Sequence, residues 1–213
     1  MNQYPIFVYI TLFSPVVPIS IGITRITILN SGMKILLFYL IFAFVADIYL
    51  LWFVRGYHFT LGLYHVYYLI EYIFIISIIN IWQESHGIKR LFQIILFFYI
   101  LFWIIAKVTF EPLTGLYTII ACTSQVLITL CAGYTFFVVI DSRMQHLMNN
   151  YRFWVLLSFI VYYSGTLFVI ALRGILIHYS TENILLVSSI DWSLMILFNI
   201  LFAIGFLCPQ TQT

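Results

Sequence analysis

Asp47, His65, Glu71 and Asp191 lie within long apolar runs of the chain, and Lys107 and Arg173 stand at the ends of two others. Carboxylates and histidine are the side chains that most often move protons, and the same types are ordinary zinc ligands. In an apolar phase they are costly. A charged side chain at a bilayer centre costs at least about 2.5–3.5 kcal/mol on insertion scales. Each must therefore meet another polar group, a cavity or an opposite charge.

Helical spacing gathers these residues into stripes. At about 100° per residue, Tyr64, His65, Tyr68, Glu71 and Tyr72 fall on one arc of their run. Glu71 is about ten residues in, which at 1.5 Å per residue puts it about 15 Å deep, near a bilayer midplane. Ser188, Asp191, Met195 and Asn199 share a face in the last run, with Trp192 at its edge. Thr118, Cys122, Gln125 and Thr129 form a third stripe, and Ser158, Tyr162, Gly165, Thr166 and Arg173 a fourth. The expectation is a ligand-binding set of Glu71, His65, Asp47, Asp191, Tyr68, Tyr72, Gln125, Tyr162, Lys107 and Arg173. They would wall an outward-opening polar cavity in which tyrosine rings pack on apolar surface while their hydroxyls reach inward. The competing reading is structural. Polar residues on facing membrane helices hydrogen-bond one another, Lys107, Arg173 and Arg55 snorkel to the interface, and tyrosines form an aromatic belt. Depth tips Glu71 toward function, while both readings stand for His65, Asp47 and Asp191.

Several chemistries are absent. The three lysines, Lys34, Lys89 and Lys107, leave no mid-membrane amine for a retinal Schiff base. HExxH, GxSxG, a P-loop and GxGxxG do not occur, so no cofactor and no metal are expected. A net charge of +2 does not suggest a nucleic-acid partner. Cys122, Cys131 and Cys208 form no CxxC pair and read as buried thiols.

The elements that must hold these side chains follow from composition. The chain of 213 residues is 64% hydrophobic and 8% charged, with mean hydropathy +1.10, against about 25% charged in a soluble domain. Runs such as 94–105 do not alternate, which argues against a β-barrel. The expected fold is an all-α integral membrane protein, a seven-transmembrane-helix bundle in one domain, 1–213. Its spans are approximately 4–21, 33–54, 61–82, 88–107, 114–140, 153–172 and 183–208, with Pro15 and Pro18 kinking or ending the first. No basic segment precedes that first run, so it is read as a retained helix.

The first, third and fifth loops hold Arg25, Lys34, Lys89, Arg90, Arg143 and Arg152, and the other three hold Arg55, Lys107 and Arg173. This bias puts the N-terminus outside and the C-terminus in the cytoplasm of a plasma or inner membrane. Lys34 and Arg152 each begin a run ending twenty-one residues later in Arg-Gly, an offset of 118 that would fit a 3+1+3 internal repeat. Shared inside-to-outside direction explains the same pattern more simply. The loop 141–152, with Arg143, His146 and Arg152, is the best place for a protein partner to dock.

Four functions fit. A receptor-like or sensory protein that binds a small molecule and acts through a protein partner ranks first. A small-solute or proton-coupled transporter ranks second. A membrane-embedded lipid-modifying enzyme and a structural subunit of a membrane complex follow.

Overall fold

The computed structural model describes the backbone of residues 6–53, 57–113, 118–142, 144–176 and 181–209. The described residues are helical: α1 (Ile6–Phe13), α2 (Val16–Thr24), α3 (Ser31–Phe53), α4 (Tyr57–Ile81), α5 (His86–Thr109), α6 (Thr118–Ser142), a 3-10 turn (Met144–Asn149), α7 (Tyr151–Leu176) and α8 (Thr181–Leu207). Seven helical spans are long and apolar enough to cross a membrane, counting α1 and α2 together as Ile6–Thr24. Helices are the form such sequences take because lipid offers backbone amides no partner, whereas a helix pairs them internally.

The helix boundaries have local causes. Asn30 Oδ1 accepts from the Met33 amide at 3.0 Å and caps α3, and Asn150 Oδ1 does the same for Arg152 at 3.0 Å at the start of α7; each satisfies an amide that has no intrahelical partner. α8 stops two residues before Pro209, which disfavours helix at the residue preceding it.

The first span is broken at Ser14–Pro15 rather than bent. Pro15 and Pro18 carry no amide hydrogen, so the carbonyls of Thr11 and Ser14 lose their usual donors. The Thr11 carbonyl instead accepts from the Ser14 amide at 3.2 Å and its hydroxyl at 2.7 Å, and the Ser14 carbonyl from the Val17 amide at 3.4 Å. The break is held from α8, where Asn199 Nδ2 donates to Ser14 Oγ at 2.8 Å.

Helix neighbours close a ring: α2 beside α3, α3 beside α4, α4 beside α6, α6 beside α7, α7 beside α8, and α8 back beside α2. α5 stands outside this ring against α4 and α6. One end of the bundle carries Arg25, Trp82 and the 3-10 turn, and the other carries Glu111. Toward the Arg25 end the interior is mainly apolar, with Gln83 donating to Thr135 Oγ1 at 2.7 Å as a buried polar pair. Met33, Leu36, Ile75, Ile79, Phe159, Phe202 and Phe206 are at most 1% exposed and belong to one core. The Phe198 and Phe202 rings meet at 4.2 Å, and Phe159 meets Phe202 edge-on at 5.6 Å. Small residues let helices approach: a Cβ on Gly165 would come within 2.6 Å of Leu194 Cδ1, and one on Gly22 within 2.7 Å of Leu37 Cδ1. The Arg25 guanidinium donates to the Phe206 carbonyl at 2.7 Å, placing a cation at the negative end of α8.

Candidate functional site

Glu71 is buried in α4, and its Oε1 accepts two phenol hydrogen bonds. Tyr39 of α3 donates at 2.6 Å and Tyr163 of α7 at 2.8 Å. Both tyrosines are at most 2% exposed. Three helices thus converge on one carboxylate oxygen. No hydrogen bond to its Oε2 occurs among the described residues. The interior requires such an arrangement, because a buried carboxyl without donors is costly and phenols in an apolar core need acceptors.

Beside this clamp lies a cavity of about 60 Å³, room for about two waters by their share of the liquid. Its walls include Glu71 and Tyr68 from α4, Gln125 from α6, Tyr162, Tyr163 and Thr166 from α7, and Asp191 from α8. Val169 and Ile170 complete it toward the Glu111 end, beyond which side chains 172–185 are outside the described residues. Gln125 is 4% exposed and its Oε1 has no hydrogen-bond partner. The Thr166 hydroxyl donates back to the Tyr162 carbonyl at 2.9 Å. The clamp residues Glu71 and Tyr163 line the cavity, and behind it the Tyr162 ring packs on Phe198 with centroids 4.4 Å apart.

Of the ten residues expected at a ligand site, Glu71, Tyr68, Gln125, Tyr162 and Asp191 come together at this cavity. Asp47 does not line it, though it stands within electrostatic reach of Glu71. Tyr72 shares the helix but faces away. Its ring packs on Tyr99 of α5 with centroids 3.9 Å apart, and its hydroxyl has no partner. The side chain of Arg173 lies outside the described residues, as do those of Arg55, Arg143 and His146.

His65 and Lys107 form a different structure. The Lys107 ammonium hydrogen-bonds His65 Nδ1 and the Glu111 carbonyl, the latter at 3.1 Å, and lies 3.8 Å from the Glu111 carboxylate. An ammonium only donates, so Nδ1 is the accepting nitrogen of His65. Glu111 then accepts from the Ile119 amide at 2.8 Å and the Ile120 amide at 3.3 Å. Those amides are in the first turn of α6, where helical partners are lacking and an anion is favoured. Trp103 Nε1 adds a bond to the His65 carbonyl at 3.3 Å. This knot ties α4, α5 and α6 together at the Glu111 end.

Tyr39, Tyr163 and Glu111 are the polar residues that sequence periodicity does not single out. For Tyr39 a signal exists: it is a phenol deep in an otherwise apolar run, and its hydroxyl must find a partner. Tyr163 stands one residue from the Tyr162 stripe. Glu111 lies seven residues before the helix it caps, too far for any capping spacing. Among the described residues no group of three or more His, Cys, Asp or Glu is placed to hold a metal ion. The chain matches no family model, no curated protein and no solved structure.

Proposed function

We propose that this is a receptor-like membrane protein that binds a small polar ligand at the Glu71 cavity and passes the change to a protein partner. One observation carries the reading. Among the described residues the polar cavity ends at the Tyr39–Glu71–Tyr163 clamp, and the core behind it toward the Arg25 end is mainly apolar, its buried Gln83 and Thr135 being bonded to each other. A pocket that ends at such a clamp suits binding, whereas a transport path would continue in polar groups to the other side. The clamp also suits an output. A ligand that competes for Glu71 draws on bonds that join α3, α4 and α7, so occupancy biases how those helices pack. In the proposed orientation the cavity opens outward, the C-terminus is cytoplasmic, and the loop 141–152 faces the partner in a plasma or inner membrane.

The test is sided cysteine labelling. Cys122, Cys131 and Cys208 are replaced, Thr166→Cys is introduced, and silver ion, a thiol reagent small enough for the cavity that does not cross lipid, is applied from either side of sealed vesicles. Labelling from the outside alone is expected, together with no solute flux in proteoliposomes. Labelling from both sides, or flux abolished by Glu71→Gln, would replace the receptor reading with the transporter.

A further inference from the structure

The hydrogen bonds around Glu71 are lopsided, and from that geometry we infer that the ligand of the cavity is a proton, taken up from water at Glu71 Oε2. The inference rests on the Glu71 cavity being the ligand site. Both phenols, Tyr39 and Tyr163, donate to Oε1, at 2.6 and 2.8 Å. Oε2 takes no hydrogen bond from the described residues, and it is not sealed. The buried side-chain atoms left without partners among the described residues are the Tyr72 hydroxyl, Asn80 Oδ1, Trp82 Nε1 and Gln125 Oε1. Oε2 is not one of them, so it touches open space, and the space beside Glu71 is the cavity. A protonated carboxyl carries its hydrogen on one oxygen and accepts at the other. The clamp fits that division. Oε1 accepts both phenols whether Glu71 is charged or neutral, and Oε2 gains its hydrogen with no bond in the way.

Size points to the same ligand. At about 60 Å³ the cavity holds about two waters and falls far below the roughly 300–1,000 Å³ of sites for drug-sized ligands. A hydronium ion is water-sized. On uptake one of its O–H bonds breaks as the Oε2–H bond forms, and the water left in the cavity accepts from the new hydroxyl. The titratable groups within reach of Glu71 are phenols and carboxyls. They are Tyr39 and Asp47 of α3, Tyr162 and Tyr163 of α7, Asp191 of α8 and Tyr99 of α5. Tyr67 and Tyr68 add two phenols from α4 itself, and Gln125 of α6 does not titrate. None of the described lining residues is basic, and Lys107 is engaged with His65 and Glu111 at the end of the bundle. Neutralising the carboxylate therefore falls to a proton. Hydrogen bonds to a charged acceptor are about twice as strong as those to a neutral one. Uptake thus relaxes the clamp joining α3, α4 and α7 without opening it, and that is the change a partner reads.

The experiment is pH-step difference infrared spectroscopy of the full chain in nanodiscs over about pH 4 to 9, which spans ordinary and buried carboxyl groups. A carboxylic-acid C=O band is expected to rise as pH falls, with a one-proton midpoint. Glu71→Gln should remove it, and Asp47→Asn, outside the cavity, should keep it. Tyr163→Phe takes one donor from Oε1, so the band should move to higher frequency. That variant should also bind the proton about tenfold more tightly, since the lost bond favours the carboxylate over the acid. Tryptophan fluorescence of wild type should follow the same midpoint, and that of Glu71→Gln should stay level. Should Glu71→Gln fail to fold, the Tyr163→Phe band shift carries the comparison. No band that depends on Glu71, or one of constant size across the range, overturns the proton. If in that case a small solute or salt changes wild-type fluorescence at fixed pH, the cavity remains a ligand site with another occupant. A titrating Glu71 band with level fluorescence, or two-sided labelling at Thr166→Cys, removes the receptor reading and leaves the proton at Glu71.

Discussion

Replacing Glu71 in graded steps separates its hydrogen bonds from its charge. The carboxylate oxygen receives phenols at 2.6 and 2.8 Å, both fully interior. Glu71→Gln keeps an accepting oxygen of the same reach, so both phenols remain bonded and only charge assistance, about half of each bond, is lost. The expected destabilisation is about 1 kcal/mol. Glu71→Leu removes the acceptor and strands two buried hydroxyls. Each costs about 1–3 kcal/mol when unsatisfied, giving about 2–6 kcal/mol together. Tyr39→Phe and Tyr163→Phe each delete one donor and should cost about 1–2 kcal/mol, the lower figure allowing for the average of about 0.6 kcal/mol for hydrogen bonds between membrane helices. Removing both leaves the carboxyl with neither donor, so the double Phe variant should lose more than the sum. Unfolding in mixed detergent, followed by tryptophan fluorescence, reads all five proteins on one scale. If Glu71→Leu proves as stable as Glu71→Gln, or the two Tyr→Phe losses simply add, the clamp is not the interaction holding α3, α4 and α7 together.

Other consequences follow from the packing. Glu111→Ala should release the first-turn amides of α6, so hydrogen exchange at 118–121 quickens while exchange at 128–135 is little changed; unchanged exchange at 118–121 would remove the capping role. Gly165→Ala should lower Tm, because its Cβ would meet Leu194 at 2.6 Å, and Leu194→Ala in the same protein should recover most of the loss. Recovery that fails would place the crowding elsewhere. Asn199→Leu removes the tie to Ser14 and should raise proteolysis or exchange across residues 6–14 more than across α3.

Much of the architecture is legible without coordinates. The apolar runs state the number of spans, because about 20 apolar residues is the length a bilayer selects. Pro15 and Pro18 announce a break, since each removes a helix donor. Glu71 is marked by depth alone. The cavity residues Tyr68, Gln125, Tyr162 and Asp191 are recovered from stripes because a stripe specifies which face of a helix is polar.

A stripe does not say which neighbour that face meets. Tyr72 and Glu71 are adjacent on one arc, yet Glu71 turns to α3 and α7 while Tyr72 turns to Tyr99 of α5. His65 and Lys107 have the residue types of a binding site and are joined instead to Glu111 at the start of α6. Tyr39, in an otherwise apolar run, supplies half the clamp. The exclusion of α5 from the ring, with α4 resting directly on α6, is likewise absent from any local pattern. By itself the sequence determined that the chain forms apolar helices and which face of each is polar, because backbone satisfaction and side-chain periodicity act residue by residue along one helix. Only the tertiary structure decided that Glu71 would be held by Tyr39 and Tyr163 beside a small polar cavity. Partner choice depends on how seven surfaces pack against one another at once, through contacts between residues far apart in the chain.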